Sequence, residues 1–449
     1  AFELLDALSE RALARRTRRG WVFTDAMVRD AFLQSARSHQ RLAWAHLQCA
    51  EALQALYPDP TAAQLRRISS HWSAADRPEA AAEAALTAAR MENRMGGWRA
   101  AVGLLKRHVA LLEQCGDDPG SPRRLMSLLR VAQVAVTMGQ LDEAERYMER
   151  AARHIDEDTA SETNTKLAYI RARILSHRGR FGATARLLEQ RIGSKVLLEA
   201  SSPYPQCLRW LALTYEREGR LEDSAAMYAR AREYFEAVGD RFGVAMTHFG
   251  EAKISVHVGD LDAALSSIQT TEEILESQGG RTGQINCLFV RGDIFRGRGR
   301  YARALEAYES ALALLRSMDR PIDTVAYLNL AVAHLQSGEP ILADRALSDV
   351  ELDEAGVRPF AKDTTYEAVY FAVDASLGMF ENAHRRVGDI ESRTKVTGMA
   401  CLDIAICLEI ARRAARDAGH ADVAARLDAL IEWHWRCLGP ACERTWRAE

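Results

Sequence analysis

Glycine recurs at a nearly constant interval along most of this chain, and this spacing constrains the fold more than any other sequence feature. The eight glycines of this ladder lie 39 to 41 residues apart and are Gly139, Gly179, Gly219, Gly259, Gly299, Gly338, Gly378 and Gly419. A fixed period of this length is typical of a stacked array of repeated structural units. Glycine adopts positive φ angles at little cost, so each ladder glycine is predicted to end a helix and begin a turn.

The residues that flank each ladder glycine also repeat, and they predict two antiparallel helices that pack closely. A small residue usually lies seven positions before the glycine. Another lies five positions after it, and a bulky apolar residue follows four positions later. Small side chains let two helix backbones approach, and bulky side chains fill the adjoining space. The expected fold class is therefore all-α: a right-handed α-solenoid of antiparallel helix pairs with about 40 residues per repeat.

The composition supports a globular helical chain, although the repeats become less regular toward the C-terminus. Hydrophobic residues make up 48% of the 449 residues, and only 11 residues are proline, which leaves long stretches free to form helices. In the last repeat, Arg412 and Asp428 occupy positions where a small and a bulky residue are expected. Pro340 occupies the large apolar position of the sixth repeat, so we expect the turn there to be altered.

Two repeats carry the full pattern. They read Leu208-Leu211-Ala212-Tyr215-Gly219-Leu221-Ser224-Tyr228-Ala231 and Leu288-Arg291-Gly292-Phe295-Gly299-Tyr301-Ala304-Tyr308-Ala311. The pattern resembles the tetratricopeptide repeat (TPR), and the resemblance covers roughly residues 60–435. The usual TPR has 34 residues, so the helices or links are expected to be longer here. The resemblance implies a surface for protein or peptide partners, and the chain is not expected to be an enzyme.

Residues 1–58 do not follow the repeat. Their pattern predicts an amphipathic helix at Phe2–Arg15 and then a short strand within residues 20–24. Two further helices are predicted, from about Asp25 to Ser35 and at Ser38–Leu56. The run from Phe23 to Ala31 resembles the end of the winged-helix region in bacterial STAND-type signalling ATPases, with Asp25 in place of a histidine. Residues 70–81 resemble the first repeat-like turn of the same family.

This second resemblance implies a small winged-helix remnant in this chain and an upstream ATPase domain in the same polypeptide. The family includes regulators of the maltose-activator type and ATPase regions fused to kinases or nucleotide cyclases. In these proteins the array is a sensor arm, and binding of a partner or a small inducer relieves autoinhibition of the ATPase. The sequence begins at Ala1 inside an amphipathic pattern, so we expect the native protein to be longer.

Four regions are predicted along the chain. They are the end of the winged-helix-like region with a connecting helix (1–58), irregular helical repeats (59–120), the regular TPR-like array (121–390), and a capping repeat with a tail (391–449). The net charge of −3 provides no overall attraction to nucleic acid or to an anionic membrane, so neither is expected as a direct partner. The sequence shows no signal peptide and no apolar run of about 18 residues, which favours the cytoplasm.

Residues able to perform chemistry are scattered, and no metal or cofactor is expected. The stretch from Gly297 to Arg300 resembles part of a glycine-rich nucleotide loop, but it coincides with a repeat turn, and no phosphate loop is present. Imidazole and thiolates near the C-terminus are potential zinc ligands, but none form a Cys-x2-Cys pair; they are Cys401, Cys407, His434, Cys437 and Cys442. His177 and His257 share one repeat position, which is compatible with a pH-responsive or a purely surface role.

The most informative candidate surface follows from the TPR resemblance, because the first helix of each TPR lines the concave face. Counting back from the glycines at helical spacing predicts eight residues on this face: Tyr169, Arg173, Arg209, Phe249, Lys253, Phe289, Asp293 and Arg296. One interpretation is a set of partly exposed residues with no ligand. The other is a groove of mixed aromatic and basic character, suited to an acidic or amphipathic peptide segment.

These observations favour a non-catalytic sensor or scaffold arm. It would bind a protein, a peptide or a small inducer and regulate an attached signalling ATPase or effector. The alternative is a free-standing TPR adaptor for protein–protein assembly, which would capture its partner without any attached domain.

Overall fold

The computed structural model describes residues 7–17, 20–199, 201–276, 281–317, 324–352, 360–398 and 400–447. The chain forms two compact units, unit 1 at Ala1–Met138 and unit 2 at Gly139–Glu449. Apart from one hairpin and one isolated bridge, the regular elements in the described residues are helices. Sequence-adjacent helices pack as antiparallel pairs, which confirms the predicted all-α class.

In unit 1, residues 7–10 are helical, and an antiparallel hairpin of β1 (Ala14–Thr17) and β2 (Gly20–Phe23) follows, with further helices after it. These helices are α1 (Ala26–Ser38), α2 (Leu42–Leu56), α3 (Ala62–Ala74), α4 (Pro78–Arg94), α5 (Trp98–Gln114) and α6 (Pro122–Thr137). The strand predicted within residues 20–24 is confirmed as β2. The helix predicted at Phe2–Arg15 begins outside the described residues, and its C-terminal end is wrong, because β2 needs a partner for its backbone groups and residues 14–17 supply it. The winged-helix remnant stays a prediction.

Unit 2 contains the most regular repeats. Its helices are α7 (Leu141–Ala152), α8 (Glu162–His177), α9 (Phe181–Gly193), α10 (Pro203–Arg217), α11 (Leu221–Ala237), α12 (Arg241–Val258), α13 (Leu261–Glu276), α14 (Arg281–Gly297), α15 (Tyr301–Ser317), α16 (Thr324–Gln336), α17 (Pro340–Leu352), α18 (Phe360–Ser376), α19 (Ala383–Thr397), α20 (Leu402–Asp417), α21 (Ala421–Leu438) and α22 (Pro440–Trp446). From α8 to α21 a first and a second helix alternate, one pair around each ladder glycine from Gly179 to Gly419.

The ladder glycines have the conformation that their spacing predicts, since all eight have φ angles between 67° and 81°. At Gly219, the glycine N–H donates to Glu216 O at 3.1 Å, and the next N–H, of Arg220, donates to Tyr215 O at 2.9 Å. These bonds satisfy carbonyl groups that the end of a helix leaves without partners. The turn at Pro340 is not altered as predicted, because Gly338 has a φ of 80° and proline occupies a helix position that needs no N–H donor.

Helix pairs pack through the small residues that the repeat pattern predicts. Ser224 on α11 is buried against α10, and its hydroxyl donates to Ala212 O at 2.7 Å. The last repeat has Arg412 and Asp428 in place of the expected small and bulky residues, and these two side chains pair, with Arg412 Nη1 3.1 Å from Asp428 Oδ1. An ion pair therefore joins α20 to α21 where other repeats use apolar contacts.

A glycine inside α14 provides a test of this close packing. The Cβ atom of an alanine at Gly292 would overlap the ring of the buried Tyr308 on α15, so Gly292→Ala should lower the free energy of unfolding by about 1–3 kcal/mol. Gly103 in α5 is exposed, with nothing within 4 Å of such an atom. There Gly103→Ala should raise stability by up to about 1 kcal/mol. Urea denaturation of both variants measures the two effects, and destabilisation at both positions would contradict the packing argument.

Candidate functional site

The eight predicted surface residues lie on α8, α10, α12 and α14, the first helices of four consecutive pairs in unit 2. These helices contact one another in order, so the residues share one continuous side of the array. We call this side the inner face and define it by Tyr169, Arg173, Arg209, Phe249, Lys253, Phe289, Asp293 and Arg296. The structure divides these residues into two groups with different environments.

The first group lies on α8 and α10 and forms a basic–aromatic cluster of Tyr169, Arg173, Arg209 and Trp210. The Arg173 guanidinium lies 5.6 Å from the centre of the Tyr169 ring and 5.4 Å from that of Trp210. The two rings meet edge to face, with centres 6.4 Å apart. The Arg209 guanidinium lies 5.9 Å from the Trp210 ring centre. Cations at these distances are attracted to the electron-rich ring faces, which contributes to holding the cluster together.

Two hydrogen-bond donors in this cluster lack an acceptor. Within the part of the chain that the structure describes, Arg209 is half-buried and no carboxylate lies within ion-pair distance of it. The Nε1 atom of Trp210 is buried and has no acceptor among the same residues. The penalty for a buried donor without a partner, about 1–3 kcal/mol, applies to Trp210 Nε1, whereas the half-buried Arg209 guanidinium remains accessible to solvent. The cluster is therefore equipped to receive a carboxylate or a peptide carbonyl.

The second group, on α12 and α14, has its polar partners within the array. Lys253 forms an ion pair with Glu216, a buried carboxylate on α10. Burial alone would raise the pKa of Glu216, but the neighbouring Lys253, His257 and Arg217 together outweigh that effect, and the pKa lies below its ordinary value. Phe249 and Phe289 are half-buried and pack against the hydrophobic core.

Arg296 is the most deeply buried member of this group. Its Nη2 lies 2.7 Å from Asp403 Oδ1 on α20, and its Nε donates to Gln336 Oε1 on α16 at 2.8 Å. Asp293 lies 3.4 Å from Arg296 Nη1 and accepts the hydroxyl of Tyr308 at 2.6 Å. This network joins α14 to α15, α16 and α20. The binding role assigned to Lys253, Asp293 and Arg296 stays a prediction, and their visible contacts are structural.

Sequence reasoning missed Trp210 and Asp403. Trp210 follows Arg209 directly, and counting every fourth residue passes over it, although a tryptophan beside an arginine was a usable signal. Asp403 lies 107 residues from Arg296 in sequence, and no local pattern indicates that pairing.

The candidate nucleotide loop at Gly297–Arg300 and the candidate zinc ligands near the C-terminus lie in structural surroundings. Gly299 has a φ of 67° and forms the turn between α14 and α15. His434 is buried, and its Nδ1 accepts the Cys401 N–H at 3.4 Å. In the described ranges, no three histidine, cysteine, aspartate or glutamate side chains are grouped so as to hold a metal ion. No helix in those ranges has both the length and the apolarity to cross a bilayer.

His177 and His257, which share one repeat position, have different environments. The ring of His177 stacks on Trp210 of the basic–aromatic cluster, with ring centres 6.4 Å apart. His257 is partly buried near Glu216, and burial lowers its pKa below the ordinary value of 6.5. Their shared sequence position therefore does not give them a shared environment.

Comparison with known proteins identifies the repeat. Residues 244–317 match the tetratricopeptide repeat family, whereas no curated protein sequence matches the chain. The chain is similar to the crystal structure of a Rap protein complexed with competence and sporulation factor. The sequence identity is 14%, the TM-score is 0.60, and the match covers 80% of this chain and 98% of that one.

Two further structures show weaker similarity. A TPR protein from Parabacteroides merdae has 14% identity and a TM-score of 0.39, with 64% of this chain and 98% of that one covered. A STAND protein with a TPR sensor from Pyrococcus horikoshii has 14% identity and a TM-score of 0.37, with 78% and 57% covered. The relation to maltose-type activators stays a prediction. Residues 244–317 thus carry tetratricopeptide repeats, and the chain has the fold of TPR-like arrays of helix pairs.

Proposed function

We propose that the inner face binds an acidic or amphipathic peptide segment of a protein partner, and that the basic–aromatic cluster is its anchor. The observation that carries this proposal is a half-buried guanidinium, that of Arg209, with no carboxylate within ion-pair distance among the described residues, beside Trp210, whose buried Nε1 has no acceptor there. A carboxylate that meets a guanidinium forms a charge-assisted hydrogen bond, about twice as strong as a neutral one. The adjoining rings of Tyr169 and Trp210 provide contact area for an apolar or aromatic side chain of the same segment.

The fold supports this proposal in a general way. TPR arrays are scaffolds for binding proteins and peptides, and the similar Rap protein was crystallised with competence and sporulation factor. A small inducer that carries a carboxylate and an aromatic group satisfies the same donors and is the second candidate ligand. In either case the array acts by binding rather than by catalysis.

A finer proposal is that the array is the sensor arm of a signalling ATPase. It rests on the resemblance of residues 23–31 and 70–81 to the region that precedes the array in STAND-type regulators. The native gene tests it directly. We expect a phosphate-loop motif upstream in the same reading frame, and a native reading frame that encodes no such ATPase would refute this part of the proposal.

Charge reversal at Arg209 tests the binding site. We expect a displayed library of random peptides, selected on the full chain, to be enriched in sequences with Asp or Glu beside an aromatic residue. Arg209→Glu should weaken binding of the selected peptide by at least about ten-fold, or about 1.4 kcal/mol, in isothermal titration calorimetry. Trp210→Phe keeps the ring but removes the N–H, and it should weaken binding to a smaller extent.

The control is Arg146→Glu, which reverses the charge of an exposed arginine on α7 and should leave the affinity unchanged. Lys253 is unsuitable for this experiment, because its replacement would leave the buried carboxylate of Glu216 without a partner. Unchanged affinity in a folded Arg209→Glu chain, or selection of peptides without acidic residues, would remove the cluster as the anchor.

A further inference from the structure

The last helix of unit 2 does not continue the stacking of pairs and instead returns to the middle of the array. In α22, Trp446 is only 7% exposed, and its Nε1 donates to Val256 O on α12 at 2.9 Å. The two residues are 190 positions apart in sequence. Val256 lies in the last turn of α12, and its carbonyl oxygen also accepts the N–H of Gly259 at 3.2 Å. A carbonyl oxygen has two lone pairs, and the indole N–H uses the second of them.

Glycine residues make room for this return at the ends of the first helices. A Cβ atom at Gly297, the last residue of α14, would lie 2.9 Å from Cζ2 of the Trp446 ring. A Cβ at Gly259, which follows α12, would overlap Thr445, and one at Gly219 would overlap the carbonyl of Cys437. The C-terminal residues therefore lie against the ends of α10, α12 and α14 at distances that only glycine permits.

Gly297 is the informative position among these. Gly219 and Gly259 have positive φ angles and are needed for their turns in any case, whereas Gly297 has no such angle. The equivalent positions in neighbouring repeats, two residues before the ladder glycine, carry the side chains of His177, Arg217 and His257. A side chain at Gly297 would crowd the Trp446 indole and also Leu261 Cδ1, which would lie 3.0 Å from the same Cβ, whereas the turn itself does not require a glycine at this position.

We propose that the ends of α12 and α14 form a binding site for a tryptophan-bearing peptide segment, which the chain's own α22 occupies. We call it the tryptophan site and define it by Val256, Gly259, Arg296 and Gly297. The Val256 carbonyl accepts the indole N–H, the bare backbone of Gly297 receives the ring, and the Arg296 guanidinium lies 5.8 Å from the ring centre. These three contacts distinguish tryptophan from phenylalanine and from aliphatic residues, because the indole combines a large ring with an N–H donor.

The way in which α22 is held makes it exchangeable with a segment of the same chemistry. Arg447 forms ion pairs with Glu409, Glu432 and Glu443, all within the C-terminal helices, so these pairs do not attach α22 to the site. The seven-residue α22 follows Gly439, which has a φ of 90°. Trp446, with Thr445 beside it, contacts α12 and α14, and the buried Cys442 also anchors α22 in the hydrophobic core of unit 2.

A peptide of residues Pro440–Arg447, labelled with a fluorophore and kept reduced, tests the proposal in the full chain. Trp446→Ala empties the site, so the peptide should bind this variant at least ten-fold more tightly than the wild-type chain, whose site is filled. The same peptide with alanine in place of tryptophan should bind the variant at least ten-fold more weakly than the native peptide. Arg444→Ala removes an exposed neighbour in α22, and this control chain should behave as wild type.

Two further variants keep the result interpretable. Gly297→Ala in the Trp446→Ala chain fills the space for the ring and should abolish peptide binding. If Trp446→Ala unfolds the chain, as circular dichroism would reveal, Trp446→Phe retains an apolar ring without the N–H, and the peptide should bind it more tightly than wild type.

Equal binding of the peptide to wild-type chain and to the folded variants, or no binding to any of them, would overturn the proposal. This result is independent of the acidic peptide site. A chain with Arg209→Glu should bind the Trp446 peptide as its parent does, so each of the two sites can fail alone.

Discussion

Replacing Arg296 by alanine is expected to lower the free energy of unfolding by about 3–5 kcal/mol, although this residue was selected from the sequence as a ligand contact. The side chain is almost completely buried and bonds Asp403, Gln336 and Asp293. Its removal leaves the Asp403 carboxylate, 2.7 Å from Arg296 Nη2, without its cation in a site from which water is partly excluded. An uncompensated charge in such a site is far costlier than the loss of an exposed ion pair.

The same turn offers a matched control. Arg298, two residues later, forms an ion pair with Asp262, whose side chain is 97% exposed. Arg298→Ala should therefore change stability by less than about 1 kcal/mol. Urea denaturation followed by circular dichroism at one pH measures the free energy of unfolding of the two variants. Similar losses for both variants would show that the buried network does not stabilise unit 2.

Acidification is expected to lower the free energy of unfolding through protonation of His434 in the unfolded chain. Burial lowers the pKa of His434 to about 4, from an ordinary value of 6.5. Above pH 6.5 the imidazole is neutral in both the folded and the unfolded chain, and it contributes no pH dependence. As the pH falls from about 6.5 to about 4, the unfolded chain binds a proton that the folded chain does not. Stability is therefore lost over this window, by about 3 kcal/mol in total for this residue.

His434→Gln tests this contribution, because glutamine is neutral at every pH and retains an acceptor for the Cys401 N–H. The fall in the free energy of unfolding between pH 7 and pH 4 should be smaller in this variant than in wild type by about 3 kcal/mol. Burial also lowers the pKa values of His108 and His334, so the variant should keep part of the pH dependence. His154→Asn, at an exposed position, controls for the loss of a histidine as such. An unchanged pH profile in His434→Gln would refute the assignment.

The repeat fold was predictable because its determinants are local. Each ladder glycine ends a helix, and the small residues before and after it lie within one helix pair. Both features therefore recur in the sequence with a period of about 40 residues. The N-terminal hairpin was less predictable. Residues 14–17 are compatible with helix as well as strand, and only the pairing of Ala14 with Phe23 decides between them.

The inner face was predictable only as a set of positions. Helical spacing indicates which residues share a side of α8 to α14, but it does not indicate which of them have internal partners. Lys253 pairs with Glu216 on the preceding first helix, and Arg296 pairs with Asp403 from a helix more than a hundred residues later. Arg209 has no such carboxylate partner among the described residues, and only the three-dimensional arrangement of the helices distinguishes these three cations.

The contact between Trp446 and Val256 changes how unit 2 can lose its structure. In a linear repeat array each pair touches only its neighbours, so stability is nearly a nearest-neighbour sum and the ends fray first. A contact across 190 residues joins the terminal pair to the interior and closes a loop, whose entropic cost grows only with the logarithm of its length. Fraying of α20 to α22 must then break contacts on α12 and α14 as well. The C-terminal repeat is thereby coupled to the centre of the array, and unit 2 acquires a cooperativity that stacking alone does not provide.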